Sequence, residues 1–461
     1  MAEILDLYQT KNYNYFKKKE DFTKIAPTPG SITNLNKGGS VIVHEVNASE
    51  SYLFMSEAYG LIKYSITKTD NTVLDTNITL EHNWPMRLFT QLVVDVGGTK
   101  ITYTDPGEFD TILKSVMYSP HFKEVGEHYG WIPDTGDAGI VKEIPAIADN
   151  ADLAATKTNL NKIVKRLNKK DLNHGYLRRL NNYNNFNETG NARVKKGGTI
   201  KLSLLPLVGI FNDWQKLTKG IKYTFHWTRK EVDSEIFFGA AATTAKLTID
   251  SFELWVPSIT LTNKSETAFL DSLTKDITIT FPERITCPSQ TIDGGTYTWQ
   301  MGMLSNMPIA VFVAFKHNVG NPSFTVNDHK YISHINDTAA PANNVKILEL
   351  QLRLNNQQYP NDKVEIDSPV QDIHRAYEMY ENMCAQFGVF PQFNKNDFST
   401  IYPIFCFDLS AQDENVAKNG VALQLYIKKS SNVPLTAYAL ILEQHTHIVQ
   451  VNGGNKMTRV N

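Results

Sequence analysis

Residues 220–227, GIKYTFHW, and residues 420–427, GVALQLYI, decide the fold. Each opens on a glycine and then carries an apolar side chain at every second position. The two sets are Ile221, Tyr223, Phe225 and Trp227, and Val421, Leu423, Leu425 and Ile427. Successive side chains of a strand point to opposite faces, so each set lines one face, the buried face of a β-sandwich. One such strand is commonplace. Two of them in separate halves of a 461-residue chain point to a doubled domain, which leaves the same devices twice in the same order.

Two further devices precede each strand. The first is a strand hairpin followed by a helix: QLVVDVGGTKITYTDPGEFDTILKSVMY (91–118) and LQLRLNNQQYPNDKVEIDSPVQDIHRAYEMY (350–380). Both helices read as capping boxes with proline at the first helical position, Asp105-Pro106 with Glu108 and Ser368-Pro369 with Gln371. The second is a strand holding a proline, SLLPLVGIF against TIYPIFCFD, which sets Pro206 opposite Pro403. After the glycine-led strand each half closes on another apolar strand, LTIDSFELWVPSITL and LTAYALILEQHTHIVQV.

These matches keep their order but not their spacing, so the first copy carries a long insertion, about 121–196. It holds the amphipathic stretch ADLAATKTNLNKIVKRLNKK and the Asn-rich LNNYNNFNETGN. It is expected to lie outside the sandwich core. The seam falls after Leu261, at TNKSETAFLDSLTK. The expected organisation is an N-terminal arm over 1–40, a first jelly roll over 41–262 and a second over 263–461, in a mainly β chain with a few short helices. Jelly rolls fit better than immunoglobulin-type sandwiches because each half has about 200 residues and long loops.

Composition agrees with a chain folded through most of its length. Hydrophobic residues make up 41 % and charged residues 20 %. A net charge of -2 excludes a surface that grips nucleic acid throughout and leaves room for local contact alone. Cys287, Cys384 and Cys406 have no metal-ligand spacing, and an odd number cannot complete a disulfide framework; a reducing compartment fits. The N-terminus lacks a signal-peptide pattern and no apolar run has spanning length, so a soluble, unsecreted protein is expected.

The repeated features resemble the double jelly-roll major capsid proteins of the adenovirus and tailless-phage lineage, and most of all the compact versions of adintoviruses, Polinton or Maverick elements and virophages. The runs carrying this are LQLRLNNQQYP…SPVQDIHRAYEMYENM, YPIFCFDLSAQ and GVALQLYIKKSSNVPLTAYALI. The resemblance covers the chain from about Val41 onward. It implies a homotrimer forming a pseudo-hexagonal capsomer of an icosahedral double-stranded DNA virus or virus-like element. The implied partners are neighbouring capsomers, penton and minor capsid proteins and, locally, packaged DNA, with no cofactor or small-molecule substrate. Its place is the virion, assembled inside the host cell.

Catalytic constellations find little support. Gly97-Gly98-Thr99-Lys100 lacks the preceding glycine of a phosphate loop, there is no G-x-S-x-G elbow, and no cysteine has a histidine at a telling spacing. Asp293, Asp408 and Asp413 read as turn residues at strand ends rather than paired acids. His445 and His447 share a strand face at a spacing zinc could use, but a polar outward face explains them better. Lys17, Lys18, Lys19 and Lys24 form a basic run that is either a solvated segment or an inner-surface arm meeting DNA phosphates or an acidic protein. Lys162, Lys165, Arg166, Lys169 and Lys170 read as a solvated helix face. The competing function is a non-viral, two-domain carbohydrate-binding or adhesion protein built of β-sandwiches.

Overall fold

A computed structural model describes residues 17–47, 51–72, 74, 78–135, 173–183, 196–233, 236–238, 244–272, 276–317, 345–355, 357–366, 373–411, 420–450 and 456–460. Among the described residues, eight strands of four residues or more build the first half: β1 (Lys17–Ile25), β2 (Val41–Val46), β3 (Tyr59–Lys68), β4 (Phe89–Val96), β5 (Thr99–Thr104), β6 (Lys196–Ser203), β7 (Tyr223–Arg229) and β8 (Ala245–Leu261). Eight more build the second: β9 (Ile277–Thr286), β10 (Thr296–Leu304), β11 (Pro308–His317), β12 (Ile347–Leu354), β13 (Gln357–Glu365), β14 (Phe405–Asp408), β15 (Val421–Lys429) and β16 (Leu435–Gln450). A last strand, β17 (Lys456–Val460), pairs with β16.

The first half forms one sheet in the order β1-β8-β3-β6 and another in the order β2-β7-β4-β5. The second half forms β9-β16-β11-β14 and β10-β15-β12-β13. Adding eight to each strand of the first half gives the second, so the topology is the same Greek-key sandwich twice. Among the described residues every ladder is antiparallel and joins strands of the same half.

The two glycine-led strands occupy corresponding places. Trp227 of β7 lies opposite Leu92 of β4, and Ile427 of β15 lies opposite Leu350 of β12. Every one of the eight apolar residues read from the alternation is buried. Trp227 is fully enclosed, with its ring 5.0 Å from Phe89 and 5.4 Å from Phe252, so the inner face of one sheet meets that of the other. Burying each such side chain contributes about 1.5–3 kcal/mol. Gly97 and Gly98 make the turn between β4 and β5 with φ of +55° and +93°, the left-handed pair that a two-residue hairpin needs.

Seven helices matter for the surfaces described below: α1 (Trp84–Arg87), α2 (Pro106–Met117), α3 (His174–Tyr183), α4 (Gly209–Asp213), α5 (Asn263–Ser272), α6 (His374–Gln386) and α7 (Lys395–Thr400). The helices α2 and α6 each follow the hairpin of their own half, as the repeated sequence implies.

Several local expectations need correction. Lys17–Ile25 is not part of an arm outside the first sandwich but its edge strand, paired with β8 from Lys17↔Leu261 to Ile25↔Leu254. Pro206 and Pro403 lie outside strands, after β6 and before β14. Asp105 precedes α2 in a left-handed conformation, φ +43°, and makes no side-chain cap. Ser368, Pro369 and Gln371 lie outside the described residues, and α6 begins at His374. The insertion is not wholly outside the core: Trp131, Ile132, Tyr176 and Arg179 are buried. The stretch 136–172, with Lys162, Lys165, Arg166, Lys169 and Lys170, and the Asn-rich 184–191 lie outside the described residues, as does Asp413.

Candidate assembly site at the seam and the β1 face

The first sandwich meets the second through α2, α4 and the edge strand β5. Gly107 lets α2 approach α1, since a Cβ there would stand 2.7 Å from the Arg87 Cα. That approach brings Glu108 against the Arg87 guanidinium and 2.6 Å from the Lys316 Nζ of β11. Arg87 and Lys316 are buried, and the Glu108 side chain is 12 % exposed. Burial works against the charge on Glu108, but the two cations outweigh it and hold the carboxyl well below the usual carboxylate range. Burial and the Arg87 charge push Lys316 down to about 8.

Further along α2, Phe109 packs on Tyr438 of β16. At its far end the Tyr380 hydroxyl of α6 donates to the Ser115 carbonyl at 2.8 Å. Gln392 donates to the carbonyls of Lys114 and Tyr118 and accepts from the Trp131 indole N–H at 3.1 Å. Around α4, Asp213 pairs with Arg284 of β9. Thr104 of β5 bonds Thr286 of β9 through backbone and hydroxyl, and the turn at Gly97 exchanges bonds with Met457 of β17. The seam is thus a packed, charge-compensated interface between unlike faces of two similar lobes.

A second buried polar group sits beside it. Arg179 of α3 donates to the carbonyls of Leu80 and Ile132 and pairs with Asp134 at 2.8 Å, so the insertion is stitched to the first sandwich. The Asp134 N–H in turn bonds the Tyr402 hydroxyl of the second half at 2.7 Å. His82 packs edge-on against Trp131, and burial followed by the charges of Arg179, Arg87 and Lys114 holds its pKa well below the usual value.

The four predicted lysines come together on one strand, β1, which is exposed along most of its length. Three of them have acidic neighbours: Lys17 pairs with Glu20 at 2.6 Å, Lys19 with Asp21 at 3.3 Å, and Lys24 with Glu253 of β8 at 2.8 Å. Beside them on the outer face lie Phe22, 41 % exposed, against Tyr59 of β3, which stacks on Trp255 of β8. The Lys201 ammonium sits 4.4 Å from the Tyr59 ring centroid. Phe22, Tyr59, Tyr118, Phe122, Tyr129 and Lys201 line an open cleft of about 370 Å³ here.

With two sheets of identical strand order in each half and a heterologous seam between them, the comparison with known families is direct. The double jelly roll-like domain model matches residues 185–449. The chain belongs to this family. Among solved structures, this double jelly roll is similar to the Sputnik virophage solved by cryo-EM, with TM-score 0.59 and 11 % identity over 96 % of this chain and 88 % of that one. It is also similar to the mavirus major capsid protein, with TM-score 0.52 and 11 % identity over 95 % and 90 % of the two chains. The Faustovirus major capsid protein matches with TM-score 0.52 and 10 % identity over 95 % and 92 %. At such identities the likeness is one of fold. No curated protein sequence matches the chain.

In the double jelly roll, His445 and His447 do not face outward: both are buried. They continue the inward row of β16 that holds Ala439, Ile441 and Val449, where Arg459 of β17 and Asn306 bond the His445 ring and Glu443 lies 3.0 Å from its Nε2. Burial, then the charges of His445 and Arg459, push His447 down to about 4. Among the described residues no group of three His, Cys, Asp or Glu side chains could hold a metal. Asp293 and Asp408 are exposed at strand ends. Cys287, Cys384 and Cys406 are free and buried; burial raises Cys287 and Cys384 to about 12, which leaves the thiols unreactive.

The seam residues Arg87, Lys316, Arg284, Tyr380 and Gln392 carry no signature in sequence. Glu108 was visible as a helix-start acid, yet its partners come from distant segments. No local pattern could have named them.

Proposed function

We propose that this chain is a major capsid protein whose three copies form a pseudo-hexagonal capsomer of an icosahedral double-stranded DNA virus or virus-like element. One observation carries the reading: two sandwiches of identical strand order stand side by side in one chain, joined by a heterologous seam. Repeating such a contact about a three-fold axis closes a ring of six similar lobes. The likeness of fold to the mavirus and Faustovirus major capsid proteins supports it. Its work is then assembly, in the virion, with neighbouring capsomers and penton and minor capsid proteins as partners, after assembly inside the host cell. The chain divides for this purpose into one jelly roll on either side of α5.

The purified full chain should have a trimeric native mass and a six-lobed outline by negative-stain electron microscopy. A stable monomer that binds glycans on an array would overturn this in favour of the carbohydrate-binding alternative.

A further inference from the structure

The helix α2 also carries a buried polar cluster outside the seam. Asp110 and Lys114 stand one turn apart on it, and the Lys114 Nζ lies 2.7 Å from the Asp110 Oδ2. Asn83 precedes α1 in a left-handed conformation, with its N–H on the Gly130 carbonyl, and reaches the same two groups from another segment. Its Nδ2 donates to the Asp110 Oδ2 at 2.8 Å, and its Oδ1 accepts from the Lys114 Nζ at 3.3 Å. Lys114 is 2 % exposed, Asn83 1 % and Asp110 0 %.

The Asn83 amide is held in one orientation. Thr111 gives its hydroxyl proton to the Gly107 carbonyl at 2.6 Å, so the Thr111 Oγ1 accepts from the Asn83 Nδ2, 3.0 Å away. The Asn83 carbonyl therefore faces the lysine. Asp110 Oδ2 touches both nitrogens, that of Lys114 and that of Asn83, while its Oδ1 has no partner among the described residues. Burial raises the Asp110 carboxyl against the pull of the Lys114 charge. Two opposite charges held away from water are costly, and moving one proton from Nζ to Oδ2 leaves a neutral amine beside a neutral acid. That amine stands at hydrogen-bond distance from an amide carbonyl in a site closed to water.

We propose that the chain joins Lys114 to Asn83 by an isopeptide bond that it forms itself, with Asp110 as the proton carrier. The Lys114 Nζ attacks the Asn83 Cγ and a C–N bond forms. Asp110 gives its proton to Nδ2 and takes one from the attacking nitrogen; the bond from Cγ to Nδ2 breaks and ammonia leaves. No oxidant or reductant is needed. Of the three ammonium protons, one stays on the new amide, one stays on Asp110 and one departs with the ammonia, so both charges vanish from the core. The bond closes a loop between positions 31 apart, around the β4–β5 hairpin, and ties α2 to the segment before α1. Such a link restrains the unfolded chain as a disulfide does. It does not depend on the capsid reading.

The test uses the full-length protein, kept folded until it is denatured for mass spectrometry. Its intact mass should fall short of the sequence mass by one ammonia, and a protease digest should contain a branched peptide joining Asn83 to Lys114. The three cysteines are free, so no disulfide contributes to the deficit. Asp110→Asn keeps the shape but carries no proton, and Lys114→Arg keeps the charge on a group that stays protonated. Both should fold, judged by circular dichroism, and show the full mass. The branched peptide of the unaltered chain decides the bond whether or not a variant folds. A folded, unaltered chain that remains at full mass after days at mildly alkaline pH would overturn the proposal, as would an ammonia deficit without that peptide. Loss of one water, with Lys114 joined to Asp110, would make the aspartate the acyl group and overturn the part given to Asn83. A bond formed as completely in Asp110→Asn would remove Asp110 from the chemistry.

Discussion

Strands β1 and β9 hold the same place in two sandwiches and live in different surroundings. β9 carries Arg284, buried and paired with Asp213 of the other half, and every residue from Ala439 to Glu443 in its neighbour β16 is enclosed. β1 carries KKKEDFTKI and shows solvent nearly everything except its backbone ladder to β8. Topology asks only for an antiparallel edge strand in both cases. What differs is the far side: a strand that meets another lobe within its own chain has a buried outer face, and one left at the margin has charges.

The largest expected effect tests whether the two halves are alike inside even where they differ outside. Trp227→Ala removes a fully buried ring packed on Phe89 and Phe252 and should lower stability by about 3 to 5 kcal/mol in chemical denaturation. Ile427→Ala, its counterpart, should cost roughly 2 to 5 kcal/mol. Near-neutral melting for either variant would mean that the paired strands are not equivalent core rows.

Glu108→Ala strikes the covered sheet, leaving Arg87 and Lys316 as buried cations without their carboxylate. Breaking a buried pair in this way costs about 3 kcal/mol or more. Hydrogen exchange should speed up in α2, β11 and β16 together; a change confined to α2 would mean the seam is not cooperative. Acid offers a related test inside the first sandwich. Burial, partly offset by a bond to the Phe252 carbonyl, pushes His44 down to about 4, below the value near 6.5 of an exposed histidine. The unfolded chain therefore binds a proton that the folded chain refuses. The stabilisation is complete above about pH 6.5 and is lost as pH falls toward 4, on the order of 3 kcal/mol at the end. His44→Gln should make that part of the stability profile shallower, since His82 and His447 keep their own share of it, and an identical slope in the variant would show His44 to be protonated in the fold.

The smallest effect belongs to the uncovered sheet. Lys24→Ala removes an ion pair with Glu253 in which the lysine is 55 % exposed. An isolated chain should lose less than about 1 kcal/mol. A loss comparable to that of Glu108→Ala would erase the distinction between the two sheets.

Much of the fold was legible because strand alternation is a local consequence of burying one face. The rows ending in Trp227 and Ile427 could be read and matched without coordinates, and so could the Gly97-Gly98 turn and the hairpin-then-helix order. That was enough to see the domain twice. The misreadings share one cause: each depended on what lay across from the segment. His445 and His447 look like a polar outward row, but they continue the inward row of Ala439, Ile441 and Val449 and face the other sheet. Glu108 has the spacing of a helix cap, but Lys316, distant in sequence, claims its carboxylate. Lys17–Ile25 looks like a solvated arm, because an edge strand bonded on one side needs no apolar face.

By itself, then, the sequence determined the β class, the doubling and the inward face of the central strands, since period and turn chemistry act over a few residues. The tertiary structure alone decided which outer faces are covered, and so which charges are buried and which stay exposed. Burial and Coulomb attraction depend on distances between segments that may be hundreds of residues apart, and no short window of sequence records those distances.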